Sequence, residues 1–283
     1  MTTGRCLCGA VSWRIEPPFV GMTHCHCSMC RKAHGAPFAT YITAAADNFE
    51  LLSGAEAITD YESSPGFHRA FCGRCGSVVH SPEVDGQVFV PAGPLDDDPG
   101  VRATAHIFAT SKAPWYVIAD DLPQAETYSS GGGGPVIERP APGAARAGVL
   151  RGSCLCGGVA FEVTRPIRIV HNCHCSRCRR ARAAAHATNG CTEAEGLSFR
   201  KGEELLESYK VPEARFFRQT FCRVCGSGMP RADPARGLAV IPFGALDDDP
   251  GRGAGRHIYA AYKAPWYTIA GDLPQFPEAP PPA

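Results

Sequence analysis

The 283-residue sequence contains no run of about 18 apolar residues, the length that a membrane-spanning helix requires. It has no excess charge of either sign, since 28 Lys and Arg side chains balance 28 Asp and Glu. That balance removes the bulk attraction by which a protein holds nucleic acid or an anionic membrane surface, so neither is expected as a partner. Between Met1 and Cys6 there is no charged-then-apolar leader, so a cytoplasmic location is expected. Long helical patterns are scarce as well. What the sequence does have is cysteine, 15 residues of it. In a reducing compartment, thiols in such number point to metal rather than to disulfides.

The cysteines fall in a pattern that occurs twice. Gly4-Arg5-Cys6-Leu7-Cys8-Gly9 returns as Gly152-Ser153-Cys154-Leu155-Cys156-Gly157. Cys25-His26-Cys27-Ser28-Met29-Cys30 returns as Cys173-His174-Cys175-Ser176-Arg177-Cys178, and Phe71-Cys72-Gly73-Arg74-Cys75-Gly76-Ser77 returns with Cys222 and Cys225. Leu95-Asp96-Asp97-Asp98-Pro99-Gly100 and the Lys112-Ala113-Pro114-Trp115-Tyr116 segment also have second copies, from Leu246 and from Lys263. Two full-length copies of one domain are therefore expected, spanning 1–126 and 149–276. A Gly-, Pro- and Ala-rich linker over 127–148 would join them, and a disordered Pro- and Ala-rich tail over 277–283 would follow. Such fusion allows an internal pseudo-dimer, and a linker of that length allows independent domains equally well.

Within a copy, short runs of β-branched and aromatic residues alternate with Gly, Pro and Asp, which predicts a mainly β fold with short antiparallel sheets. Strands are expected near 10–15, 38–42, 49–52, 68–71, 78–81, 88–90 and 105–108, and a helix only over Ser28–His34. The Asp96-Asp97-Asp98-Pro99 run reads as a turn rather than a carboxylate site.

Each copy holds seven aligned cysteines, one short of two four-thiolate sites. A closed Cys₄ zinc and a Cys₃ zinc with an open fourth position use all seven. The glycines after Cys8 and Cys75 suggest that Cys6, Cys8, Cys72 and Cys75 form the closed site, with Cys154, Cys156, Cys222 and Cys225 as its second copy. The triplets Cys25, Cys27, Cys30 and Cys173, Cys175, Cys178 would then hold the open ones. The competing reading is that all seven serve folding sites, with His26 or His34 completing the triplet. An iron–sulfur cluster would fit the first grouping but leave the triplet without a role. Up to four zinc ions per chain are expected; fourteen ligating thiolates would move its formal charge from zero to about −6. A soft, thiolate-rich zinc is a poor activator of water and suits a fourth sulfur ligand, whose nucleophilicity it would raise. His26, His106 and Lys112 are candidates for managing a proton, although core or surface roles suit each of them better. Trp115 and Trp266 read as core residues, and Cys191, present in the second copy alone, as a buried inert thiol.

With these residues quoted, the chain resembles the glutathione-dependent formaldehyde-activating (GFA, or CENP-V/GFA) family. The Gly-x-Cys-x-Cys-Gly motifs, the triplets, Phe-Cys-x-x-Cys-Gly-Ser, Leu-Asp-Asp-Asp-Pro and the His106-to-Pro123 tail carry the resemblance over nearly all of both copies. It implies an Mss4-like fold, a structural zinc on the outer cysteine pairs and a catalytic zinc on the triplet. The activity implied is that of a carbon–sulfur lyase, S-(hydroxymethyl)glutathione synthase-like, acting on glutathione and formaldehyde. The segment His34-Gly35-Ala36-Pro37-Phe38 matches the family, whereas Arg182-Ala183-Ala184-Ala185-His186 departs from it, so the first triplet is expected to be the better-formed site. The alternatives are a non-catalytic zinc module that binds glutathione or a protein partner and, more weakly, a nucleic-acid-binding zinc ribbon, which lacks the basic stripe it would need.

Overall fold

The computed structural model describes residues 1–128 and 146–280. The expected linker over 127–148 and the end of the expected tail over 277–283 lie largely outside the described residues. The fold is mainly β, with several small sheets arranged in two halves. In the first half Thr2–Arg5, Ser12–Ile15 and Phe49–Ser53 form an antiparallel three-stranded sheet. A second sheet runs in the order Gln87–Pro91, Ala39–Ala45, Phe19–Cys25 and His106–Ile107, the last pair parallel. Ile58–Ser64 and Phe67–Cys72 make a hairpin. The second half repeats this order and adds an edge strand, Arg231–Asp233. No helix among the described residues is long and apolar enough to cross a membrane.

The sequence expectations hold for the core strands and miss at the edges. Thr2–Arg5 and Ile58–Ser64 were not expected, because they are polar and pair at sheet margins. Phe19–Cys25 was missed because Gly21 and a bulge between Phe19 and Gly21 break its alternation. The predicted strand over 78–81 is replaced by a single bridge from Val78 to Phe71. There the chain leaves the cysteine turn and crosses between two sheets, with Val79 N–H on the Ala70 carbonyl and Ser81 N–H on that of Phe89.

Helix α1, Ser28–His34, forms as expected, and α2, Ser176–Arg182, is its partner. Each starts on a cysteine cap: Cys27 Sγ accepts from Cys30 N–H and Cys175 Sγ from Cys178 N–H. Each ends in a left-handed residue, Gly35 in one and Ala183 in the other.

The halves bury each other's surfaces reciprocally. Phe71 and Phe221 meet edge to face at 6.4 Å. A Cβ on Gly76 would lie 2.3 Å from the Phe221 ring, and one on Gly226 2.5 Å from the Phe71 ring, so a side chain at either would force the halves apart. The two acidic turns face the opposite half: Asp247 pairs with buried Lys32 at 2.5 Å, and Asp96 pairs with Arg180 at 2.6 Å. The Ala-Pro-Trp-Tyr segments are exchanged. Trp266 and Tyr267 complete the core around Trp13, Phe38 and Leu95, while Trp115 packs on Phe243 at 5.2 Å in the other core. Both tryptophans are core residues as expected, each in the core of the opposite half.

Candidate metal centres

The outer cysteine pairs meet. Cys6, Cys8, Cys72 and Cys75 hold all four sulfurs within 4.8 Å of one another, and so do Cys154, Cys156, Cys222 and Cys225. Sulfurs around a tetrahedral zinc stand about 3.8 Å apart, from a Zn–S distance of about 2.3 Å. Here Cys6–Cys8 and Cys8–Cys72 are 3.5 and 3.7 Å apart, and Cys154–Cys156 and Cys156–Cys222 are 3.3 and 3.8 Å. The chain also supplies the donors that thiolates need. Val11 N–H reaches Cys6 Sγ at 3.4 Å and Val159 N–H reaches Cys154 Sγ at 3.2 Å. The Ser77 and Ser227 hydroxyls lie 3.4 Å from Cys75 and Cys225. The donor set and spacing fit a zinc ion at each group.

The triplets form separate groups in which the three sulfurs again lie within 4.8 Å, with no fourth Cys, His, Asp or Glu joining them among the described residues. Cys25 ends a strand, Cys27 caps α1 and Cys30 sits in its first turn, so one strand-to-helix corner presents all three. Within each triplet one thiol is drawn below its ordinary range by hydrogen bonds from the neighbouring sulfurs: Cys30 well below, and Cys175 to about 3. In the first half Arg69 Nη1 adds a donor to Cys30 at 3.6 Å.

Neither histidine considered as a fourth ligand serves as one. His26 is fully buried and bonds through Nε2 to His106 Nδ1 at 2.8 Å, and His106 Nε2 meets Asp120 at 2.9 Å. His34 donates from Nδ1 to the Arg182 carbonyl at 2.8 Å, so its Nε2 accepts from the Tyr41 hydroxyl at 2.7 Å. Burial holds the His34 pKa at about 4, consistent with that neutral form. Lys112 is exposed and donates to the Tyr116 carbonyl at 3.4 Å. His26 and His106 instead join His24, His174, His186, His257, Tyr116 and Tyr267 in a ring cluster where the halves meet. Burial pushes His24, His26 and His174 down to about 3.

The two triplets have different surroundings. The sulfurs of Cys25, Cys27 and Cys30 are buried beneath Tyr41, Phe108 and Tyr128, with Tyr128 set edge-on to Phe108 at 4.9 Å. A cavity of about 640 Å³ opens at Cys173, Cys175 and Cys178, within the size range of small-molecule sites. Arg182, Asn189, Gln219, Tyr259 and Tyr262 line the cavity, and so does Cys191, which is half-buried rather than fully buried. Asn189 Oδ1 and Arg182 Nη1 are buried without a hydrogen-bond partner. At the same positions the first half has Tyr41, His34 and Arg69, so the arginine moves from the strand in one half to the helix in the other. Spacing alone did not reveal these residues; comparing the copies position by position does.

A family model described as glutathione-dependent formaldehyde-activating enzyme matches residues 1–111 and 149–262. A Halomonas elongata protein, provisionally named a glutathione-dependent formaldehyde-activating enzyme, is 34% identical over 126 residues, which is 41% of this chain and 79% of that protein. A crystal structure of a Rhodobacter sphaeroides protein is similar at 29% identity and a TM-score of 0.28, over 33% of this chain and 87% of that one.

Proposed function

Since the chain belongs to the glutathione-dependent formaldehyde-activating enzyme family, we propose that it is a zinc-dependent, carbon–sulfur lyase-type enzyme. It joins a small thiol such as glutathione to a small aldehyde such as formaldehyde, or cleaves that adduct. The observation that supports this most is the second triplet, three converging sulfurs that no fourth Cys, His, Asp or Glu joins among the described residues, at the wall of an open cavity. Zinc held by Cys173, Cys175 and Cys178 would supply a soft Lewis-acid centre that favours the ionised form of an incoming thiol. The chain's own residues do the rest. Arg182 offsets the negative charge of the three thiolates: burial lowers its guanidinium to about 10, and the nearby Cys178 opposes that lowering. Asn189, in the cavity wall, is the side chain offered as hydrogen-bond partner to the hydroxyl of a hydroxymethyl adduct, with no transfer of the proton. The first triplet, covered by Tyr41, Phe108 and Tyr128, is read as a non-catalytic zinc site.

Native mass spectrometry with and without glutathione tests this. Four zinc ions per chain are expected, with glutathione uptake lost in Cys175→Ser and kept in Cys27→Ser. Formaldehyde–glutathione exchange should follow the same split. Cys72→Ser should lose the fold along with the metal. Two zinc ions per chain, or four without thiol uptake, would sink the catalytic reading.

A further inference from the structure

The walls of the second-half cavity carry a charge pattern that its thiols do not explain. Arg177, Arg182, Arg215, Arg218, Arg231 and Arg236 line it, and among the described residues no Asp or Glu does. Among the described residues, Arg177, Arg182, Arg215 and Arg218 have no carboxylate within ion-pair distance, and Arg231 and Arg236 share Asp233 at 3.8 and 3.9 Å. Arg182 is 7% exposed with one guanidinium nitrogen unbonded. Phe216 holds two more in place, with the Arg215 and Arg236 guanidiniums 4.7 and 4.3 Å from its ring centre. None of the six has an arginine counterpart in the first half. Met29, His34 and His68 stand for Arg177, Arg182 and Arg218, and neither 63–67 nor 80–86, the loops matching the other three, contains arginine.

Six guanidiniums around one concavity, two of them sharing a single carboxylate, give it a positive field that attracts anions. We propose that this cavity selects a substrate with at least two carboxylate or phosphate groups and no free ammonium, the anions resting on Arg215, Arg218 and Arg236 and the reacting end facing Cys173, Cys175 and Cys178. The inference rests on the proposed function only for the placement of that reacting end. Glutathione supplies the two carboxylates, but its ammonium would find no carboxylate in the wall. An N-acylated or otherwise amine-free dianionic thiol fits the lining better.

Calorimetric titration of the zinc-loaded full chain decides this, using glutathione, N-acetylglutathione, S-methyl-N-acetylglutathione and glutathione diethyl ester. N-acetylglutathione should bind about tenfold more tightly than glutathione, and the diester about tenfold more weakly, the size expected of charge-assisted contacts. S-methyl-N-acetylglutathione, which has no thiol, should keep the preference and so report on the arginines alone. The exposed pair Arg215→Gln and Arg218→Gln should abolish most of that preference and flatten its salt dependence while leaving the zinc content at four. Glutathione binding as tightly as its N-acetyl derivative, or the diester binding as well as the diacid, would overturn the proposal. Exchange activity without any anion preference would overturn it while leaving the proposed function standing. Anion preference without exchange would do the reverse.

Discussion

The chain contains the same inter-half ion pair twice, at different depths, and this makes a controlled test of what joins the halves. Lys32 and Asp247 have side-chain exposures of 9% and 4%, against 18% and 23% for Arg180 and Asp96. Lys32 Nζ also donates to the Ser153 carbonyl at 2.9 Å and its hydroxyl at 3.1 Å. Lys32→Ala therefore strands a buried carboxylate whose second oxygen already lacks a hydrogen-bond partner. Removing one partner of such a pair costs about 3–5 kcal/mol. Arg180→Ala strands nothing, because Asp96 keeps Arg5 at 3.1 Å and the Thr3 hydroxyl at 2.9 Å, and about 1 kcal/mol is expected. Replacing both buried partners, Lys32→Met with Asp247→Leu, should recover the loss to within about 1 kcal/mol. Urea unfolding of the four proteins with zinc in excess reads these differences. Equal costs for the two single variants, or a double variant as unstable as Lys32→Ala, would refute the reasoning.

Two further outcomes follow from the interface. Expressed separately, residues 1–128 and 146–280 each lack the tryptophan that completes their core, so each should aggregate or self-associate, while co-expression should restore a soluble pair; monomeric, cooperatively folding halves on size exclusion would count against the exchanged cores. His186 stands where the first half has Phe38, and burial holds it well below its ordinary range with Nδ1 unpartnered. The unfolded state protonates first as pH falls below about 6.5, so this histidine contributes full stability above that pH and loses it progressively in acid. His186→Phe should accordingly move the acid-unfolding midpoint to lower pH without loss at neutrality, and an unchanged acid limb in circular dichroism would show that the residue is not involved.

The cysteine groups, the helix Ser28–His34 and the core strands were legible because their causes are local. Metal-ligand spacing, a cap and two-residue alternation each act within a few residues. The arginine-lined cavity was not legible, because its residues come from α2, a loop, two strands and a turn that only the fold brings together. Nor does any motif record the edge-on contact of Tyr128 with Phe108 beside the first triplet. The acidic turns were read correctly as turns, yet Asp96 and Asp247 face cations in the other copy, and a repeat gives no information about which copy a residue will touch.

The exchanged tryptophan segments impose an order on synthesis. The pocket around Trp13 and Phe38 is complete only when Trp266 arrives, and that residue is made long after the first half has emerged. At about 5–20 residues per second, the delay is on the order of ten seconds. During that interval the nascent first half presents an unfilled apolar pocket and four cysteines, Cys6, Cys8, Cys72 and Cys75, that a metal ion can already gather. Binding of a metal ion by those four cysteines would then be the event that can hold the early half together until its missing core residue is translated.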